Sequence, residues 1–380
     1  MRSRFARFVV LKLCCLLVLV VSATGSAQRE RTAPAGPVGP SDPAASASAR
    51  QLYRRLRELQ RRGTLFGHQD DLTAGVGWRN EPNRSDVFST TGAYPAVYGW
   101  DLGNVELGKS YNFDGVPFAL IKAAVVRTAA AGGINTISWH LNNPVTGGTA
   151  WDTTGHPVAQ LLPGGARHEY YKQCLDAAAH FLHELQDAQR QDIPIVFRPF
   201  HEHTGHWFWW GQTRCSAAEF KQLWRFTADY LRRDKRLHSL LLAYSAADFT
   251  SKEHYLERYP GDAYVDVLGF DTYCTGRPEQ YRQQLDRQLT MVQALGNTHH
   301  KFVALTETGY NQLPVATWWT HMLLPILLKH RPLYVLLWRN GALDRYNVPF
   351  PGQISAPDFI SFKNHPRVLF SDKTGLKSGK

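Results

Sequence analysis

The chain has 380 residues, with 43 Lys and Arg against 32 Asp and Glu, for a formal net charge of +11. Such an excess raises nucleic acid as a partner, but the basic residues are spread over segments such as Arg54 to Arg62 and Arg225 to Arg236 with acids between them. No RNA- or DNA-binding motif accompanies them, which leaves a solvated basic surface.

Taken from the amino terminus, Arg2, Arg4 and Arg7 precede an apolar stretch from Phe8 to Val21, interrupted by Lys12 and followed by Gly25, Ser26 and Ala27. This is the pattern of a secretory signal peptide over residues 1–27. The stretch is short for a membrane span and carries a lysine. Cys14 and Cys15 lie inside it, where a lipid anchor would need a cysteine after the small residues. Cleavage near Ala27 takes Arg2, Arg4, Arg7 and Lys12 and no acid, so +11 becomes +7. The expected destination is secreted or periplasmic, with no stable membrane insertion after cleavage. Residues 28–49 are rich in Pro, Ala, Ser and Gly and read as a tether. A folded domain is expected over 50–370 and a frayed tail over 371–380.

Within the domain, β-branched and aromatic runs predict strands at Thr64 to Gln69, Ala96 to Asp101, Ile134 to His140, Ile195 to Glu202, Leu240 to Ser245, Val265 to Tyr273, Phe302 to Thr308 and Tyr334 to Arg339. Helical patterns fall between most of them, at Pro117 to Ala131, Glu169 to Gln191, Ala217 to Arg233, Glu279 to Gly296 and Val315 to His330. This alternation predicts an α/β fold, a (β/α)8 TIM barrel of about 250 residues before insertions. An open doubly wound sheet is the alternative, but no glycine-rich phosphate loop follows the first strand. In a barrel the functional end is at the carboxyl ends of the strands, where His68, Trp100, Asp101, His140, Glu202, Tyr273, Glu307, Trp338 and Arg339 fall.

Glu202 in RPFHEHTGHWFWWG and Glu307 in FVALTETGY each follow an apolar run. Two carboxylates at the ends of separate strands are what hydrolysis of a glycosidic bond requires: one protonates the leaving oxygen, the other attacks the anomeric carbon. An aromatic surrounding raises the pKa of an acid such as Glu202. The bland alternative, a buried Glu202 paired with Arg198, competes with this. Glu307 is a positioned nucleophile, with Arg198 or Arg339 as an ion-pair partner. Tyr273 is placed to orient it, and Asp271 and Asp266 are structural. His201, Glu202, His203 and His206 raise zinc, but alternation along a strand places His201 and His203 opposite Glu202, so neither a metal nor a cofactor is expected. Trp100, Trp151, Trp207, Trp209, Trp210 and Trp338 offer flat faces for sugar rings. Asp101, His140, Asn142, Asn143, Asp152 and Arg339 offer hydrogen bonds to hydroxyls. Trp224 is assigned to packing. Cys174, Cys215 and Cys274 remain after cleavage, compatible with one disulfide and a free thiol and without close metal-ligand spacing.

The segments FGHQDD, YGWDLGNVE, ISWHLNNPVTGG, RPFHEHTGHWFWWG, LLAYS, YPGDAYVDVLGFDTY, ALTETGY and LLWRN occur in that order. Together they resemble glycoside hydrolase family 26, the β-mannanase family of the retaining (β/α)8 clan. The resemblance implies Glu202 as acid/base and Glu307 as nucleophile. It also implies substrate contacts from His140, Trp151, His201, Trp207, Tyr273 and Trp338, with Arg339 associated with mannose recognition. His203 stands where methionine or asparagine is more usual, and Leu141 where an aromatic often follows the strand-three histidine. The expectation is an exported monomeric endo-β-1,4-mannanase acting on β-mannan polysaccharides and manno-oligosaccharides. A hydrolase of mixed-linkage glucan or xylan on the same scaffold, or a non-catalytic carbohydrate-binding protein, is the alternative.

Overall fold

The computed structural model describes residues 39–375. Eight parallel strands form the barrel: β1 Thr64–Gln69, β2 Val97–Asp101, β3 Ile134–Trp139, β4 Ile195–Pro199, β5 Leu240–Ala246, β6 Val267–Tyr273, β7 Phe302–Gly309 and β8 Tyr334–Leu337. Each pairs with the next in chain order, and β8 returns to β1 with Phe66 opposite Val335 and His68 opposite Leu337. That last pairing closes the sheet and excludes the open doubly wound alternative. A two-residue strand, β9 Val368–Leu369, adds to the start of β1.

The strands are buried along almost their whole length because both faces are covered. Inward residues such as Leu65, Val97, Val196, Leu241, Val267, Phe302, Ala304 and Leu336 form one cluster. The apolar side of helix α1 (Ala47–Arg62), with Leu52, Leu56 and Leu59, joins it. Outward residues pack under the helices Phe118–Ala130, His168–His183, Ala217–Asp229 and Pro278–His299, and under Leu324–His330, which a π-helical turn precedes. The helix expected to run to Gln191 stops at His183. Beyond it the Asp187 carboxylate accepts from the backbone N–H groups of Gln189 and Gln191, which gives the chain a turn in place of further helix.

The domain begins earlier than Arg50. Asp266, at the start of β6, accepts from the backbone N–H (2.5 Å) and the hydroxyl (2.9 Å) of Ser41, and Ser46 caps α1. Residues 41–49, expected as tether, therefore pack on the barrel. At the other end Ser371–Lys373 forms a 3-10 turn, and the Lys373 ammonium donates to the carbonyls of His365 and Val368. The expected signal peptide, the tether from 28 to 38 and the tail from 376 to 380 lie outside the described residues. Among the described residues no helix is long and apolar enough to cross a membrane, and Cys174, Cys215 and Cys274 are all free thiols.

Candidate active site

Glu202 and Glu307 meet at the carboxyl end of the barrel. Their carboxylates and that of Asp271 offer oxygens that all lie within 4.8 Å of one another. Three carboxylates so close need a cation, and here it is the guanidinium of Arg198 from β4. It donates to Asp271 at 2.9 Å and, by its other nitrogen, to Glu307. Burial opposes the charge on Arg198, but Asp271 and Glu307 outweigh it and hold its pKa above the ordinary value. Of the two ion-pair partners expected for Glu307, Arg198 is the one found. Arg339 instead lies 3.1 Å from Asp70 and pairs with Asp114.

Glu307 reaches the cleft through an irregularity in β7. Ala304 belongs to the inward cluster and Leu305 to the outward one, so strict alternation would turn Glu307 toward the helices. Between β6 and β7 the register jumps from Phe270 opposite Leu305 to Asp271 opposite Glu307, which leaves Thr306 as the extra residue of a bulge. Thr306 is secured there by bonds to the Phe270 carbonyl (3.0 Å), the Asp271 carboxylate (2.7 Å) and Ser245 (2.8 Å). Glu307 thereby faces Arg198 on one side and Tyr273 on the other. The Tyr273 hydroxyl donates to it at 2.7 Å. Burial, then the charges of Glu307 and Glu202, keep that phenol protonated far above its usual range.

Glu202 is not on a strand. β4 ends at Pro199, and Phe200 and Glu202 take left-handed φ values of 48° and 53°. His201, Glu202 and His203 therefore lie in a turn and do not alternate along a strand. His201 faces His140, while His203 packs against Phe220 and Tyr244 on the helix side. Glu202 is half-buried, and its Oε2 accepts from the Trp207 indole N–H at 2.6 Å. Burial, then the charges of Glu307 and Asp271, push its pKa well above the ordinary carboxylate value. The bland pairing of Glu202 with Arg198 is absent, since Arg198 is committed to Asp271 and Glu307.

The tryptophans divide. Trp151 and Trp207 are exposed at 46% and 36%, and Trp338 is half-buried just past β8. Trp151 stacks on His140 with centroids 5.2 Å apart and leans on Phe113 and Phe208. Trp100, Trp209 and Trp210 are fully buried, so they offer no face to a ligand. Trp100 donates to Asn135, Trp209 to the Leu141 carbonyl and Trp210 to the His201 carbonyl. Trp224 is core, as expected. His68 is buried against Asp71, away from the cleft. Asn143 and Asp152 shape the loop that carries Trp151, through bonds to Val145, Thr146 and Thr154. Asn142 is held by Glu106. Sequence reasoning missed Asp70, Phe113 and Asp114, which reach the site from loops after β1 and β2 where no periodicity marks them.

The arrangement can deliver a proton from Glu202 and a carboxylate from Glu307 to one bond, with aromatic faces on either side. Residues 41–317 match the model of Glycosyl hydrolase family 26. A mannan endo-1,4-beta-mannosidase of Bifidobacterium adolescentis is 37% identical over 278 residues, 70% of this chain and 27% of that protein. One from Thermothelomyces thermophilus is 30% identical over 288 residues, 71% of this chain and 52% of that protein. The chain thus spans 27% to 58% of the length of the first curated relatives it matches. Among solved structures, a GH26 beta-mannanase from Bacteroides ovatus superposes with a TM-score of 0.82 at 44% identity, covering 86% of this chain and 97% of that one. A modular endo-beta-1,4-mannanase from Cellulomonas fimi gives a TM-score of 0.81 at 32% identity, covering 90% and 80%. On a closed barrel with its paired glutamates at the carboxyl end, and with the family pattern matched over most of its length, the chain belongs to glycosyl hydrolase family 26.

Proposed function

We propose that this protein is an exported endo-β-1,4-mannanase that hydrolyses mannan, glucomannan or galactomannan with retention of configuration. The observation that carries the reading is the closeness of the two carboxylates. Oxygens of Glu202 and Glu307 lie within 4.8 Å, which suits the roughly 5–5.5 Å of a double displacement and leaves no room for the water an inverting pair needs at about 6.5–9.5 Å.

In this reading Glu307 attacks the anomeric carbon while Glu202, whose pKa is raised well above the ordinary value by its burial and by the neighbouring charges, donates to the leaving oxygen. Formation of the glycosyl ester removes the charge of Glu307. One of the causes that raised the Glu202 pKa then disappears, so Glu202, having given its proton to the leaving oxygen, stays ionised and can take one from the incoming water. Tyr273 bonds one oxygen of Glu307 and Arg198 the other, so the bond to the oxygen that attacks is released as the ester forms, and the remaining oxygen becomes the ester carbonyl, which still accepts. Trp151, Trp207 and Trp338 supply ring-stacking faces, and Arg339, braced by Asp70 and Asp114, supplies polar contacts. The mannanase names of the relatives support mannan as substrate. The arginine-flanked apolar start of the sequence supports export with cleavage near Ala27. A monomer suffices for this chemistry, since both glutamates come from one chain.

The test is release of reducing ends from linear mannan, glucomannan, mixed-linkage glucan and xylan, with Glu307→Gln as the blank. Release from mannan, with or without glucomannan, and loss of nearly all turnover in the variant is the expected result. Release from glucan or xylan alone would overturn the substrate, and oligosaccharide binding without cleavage would overturn catalysis.

A further inference from the structure

Glu202 stands on a segment that is costly to hold. Left-handed backbone at a non-glycine residue is strained and persists only where the surroundings over-determine it; here both Phe200 and Glu202 adopt it, on either side of His201. Two main-chain bonds help to fix the turn: the Trp210 indole donates to the His201 carbonyl and the Gly205 N–H to the Glu202 carbonyl, each at 2.8 Å. The third restraint is the His201 side chain. It is 1% exposed, and its Nε2 lies 3.1 Å from Nε2 of His140 on the segment leaving β3. His140 Nδ1 lies 2.7 Å from Oδ2 of Asp101, the last residue of β2.

We propose that Asp101 is a positioning residue for Glu202, acting through His140 and His201. Two imidazole nitrogens 3.1 Å apart attract only when a single proton lies between them. Asp101 decides which one carries it. Its carboxylate already accepts from the Ser138 hydroxyl and the Gly103 N–H, both at 2.6 Å, so it has no proton to give and requires N–H at His140 Nδ1. Burial opposes the charge of Asp101, but the bonds from His140, Ser138 and Gly103 outweigh it and hold the pKa below the ordinary value. Burial, then the charge of Arg198, hold the His201 pKa well below its ordinary value and keep that ring neutral. The chain of bonds is then Asp101 Oδ2 accepting from His140 Nδ1–H, and His140 Nε2 accepting from His201 Nε2–H. His201 Nδ1 is left as a bare lone pair, and it is buried without a partner. An asparagine at 101 can present its amide N–H to His140 Nδ1, which reverses the tautomers along the chain and leaves an N–H at His201 Nδ1 with nothing to receive it. Relief of that buried donor turns His201 and moves the segment that carries Glu202.

The inference rests on Glu202 as the acid, and the experiment separates the two. kcat/KM is measured for mannopentaose, whose leaving group needs protonation, and for 2,4-dinitrophenyl β-mannobioside, whose leaving group does not. Glu202→Ala serves as reference, expected to lose the first activity and keep the second. Asp101→Asn is expected to show the same split, with a loss on the order of 10- to 100-fold for mannopentaose and a value near wild type for the aryl glycoside. A uniform loss on both substrates, or none, with the Glu202→Ala split intact, would overturn the inference alone. No split in Glu202→Ala would overturn the acid reading and the inference with it. His201→Phe, which keeps the ring and removes the proton, gives the same readout should Asp101→Asn fail to fold.

Discussion

Glu202 is the residue whose protonation sets the working pH range. The Trp207 N–H stabilises its charged form, so it lowers a pKa that burial and the charges of Glu307 and Asp271 raise. Trp207→Phe keeps an aromatic face but removes the donor, and the alkaline limb of the kcat/KM profile is expected to move to higher pH. A limb at lower pH would contradict the assignment. Stability carries the same signature with a defined sign. The folded pKa of Glu202 lies above its ordinary value of 4.5, so the folded state holds more protons and wild type loses stability as pH rises from 4.5 through the folded value. Glu202→Gln is therefore expected to raise Tm at neutral pH and to match wild type below pH 4.5, read by thermal unfolding across pH. At this scale the pair Glu202 and Glu307, the bond from Tyr273 to Glu307, and Trp151 and Trp207 at the surface were legible from residue type and position. Trp100, Trp209 and Trp210 were not, because an indole after a strand has the same letter whether it faces sugar or core. For Trp100 and Trp209 the partners, Asn135 and the Leu141 carbonyl, lie 35 and 68 positions away in the chain.

Two departures from regular strand geometry place the two glutamates. β4 stops at Pro199, and the turn beyond it sends His201 inward and His203 outward. β7 carries the bulge at Thr306 that turns Glu307 inward. Period-two alternation cannot encode either departure, which is why the strand ends were less legible than the eight barrel strands themselves. The β7 bulge gives a direct test. A Cβ on Gly269 would lie 2.5 Å from Thr306 Cγ2 and 2.7 Å from its Oγ1, so Gly269→Ala must displace Thr306. Overpacking of this kind costs about 1–3 kcal/mol. The variant is expected to lower Tm and also to lower kcat, since Thr306 holds the residue next to Glu307; lost stability with kcat unchanged would show that the bulge does not aim the carboxylate.

For the molecule as a whole, closure of the barrel converts residues 105 positions apart in the chain, Glu202 and Glu307, into neighbours within 4.8 Å. The helix-covered parallel sheet followed from strands alternating with helices, because parallel strands need crossovers; its closure followed from the count of eight strands and is made by the pairing of β8 with β1. The amino-terminal boundary was not legible. Residues 41–49 are poor in large apolar side chains and attach through Ser41 to the buried Asp266, a polar anchor that hydrophobic patterning does not register. Whether Glu202 and Glu307 form a retaining pair is read by 1H NMR of the anomer first released from a manno-oligosaccharide, before mutarotation. A retaining pair releases the β-anomer first; initial release of the α-anomer would mean inversion and a different role for Glu307.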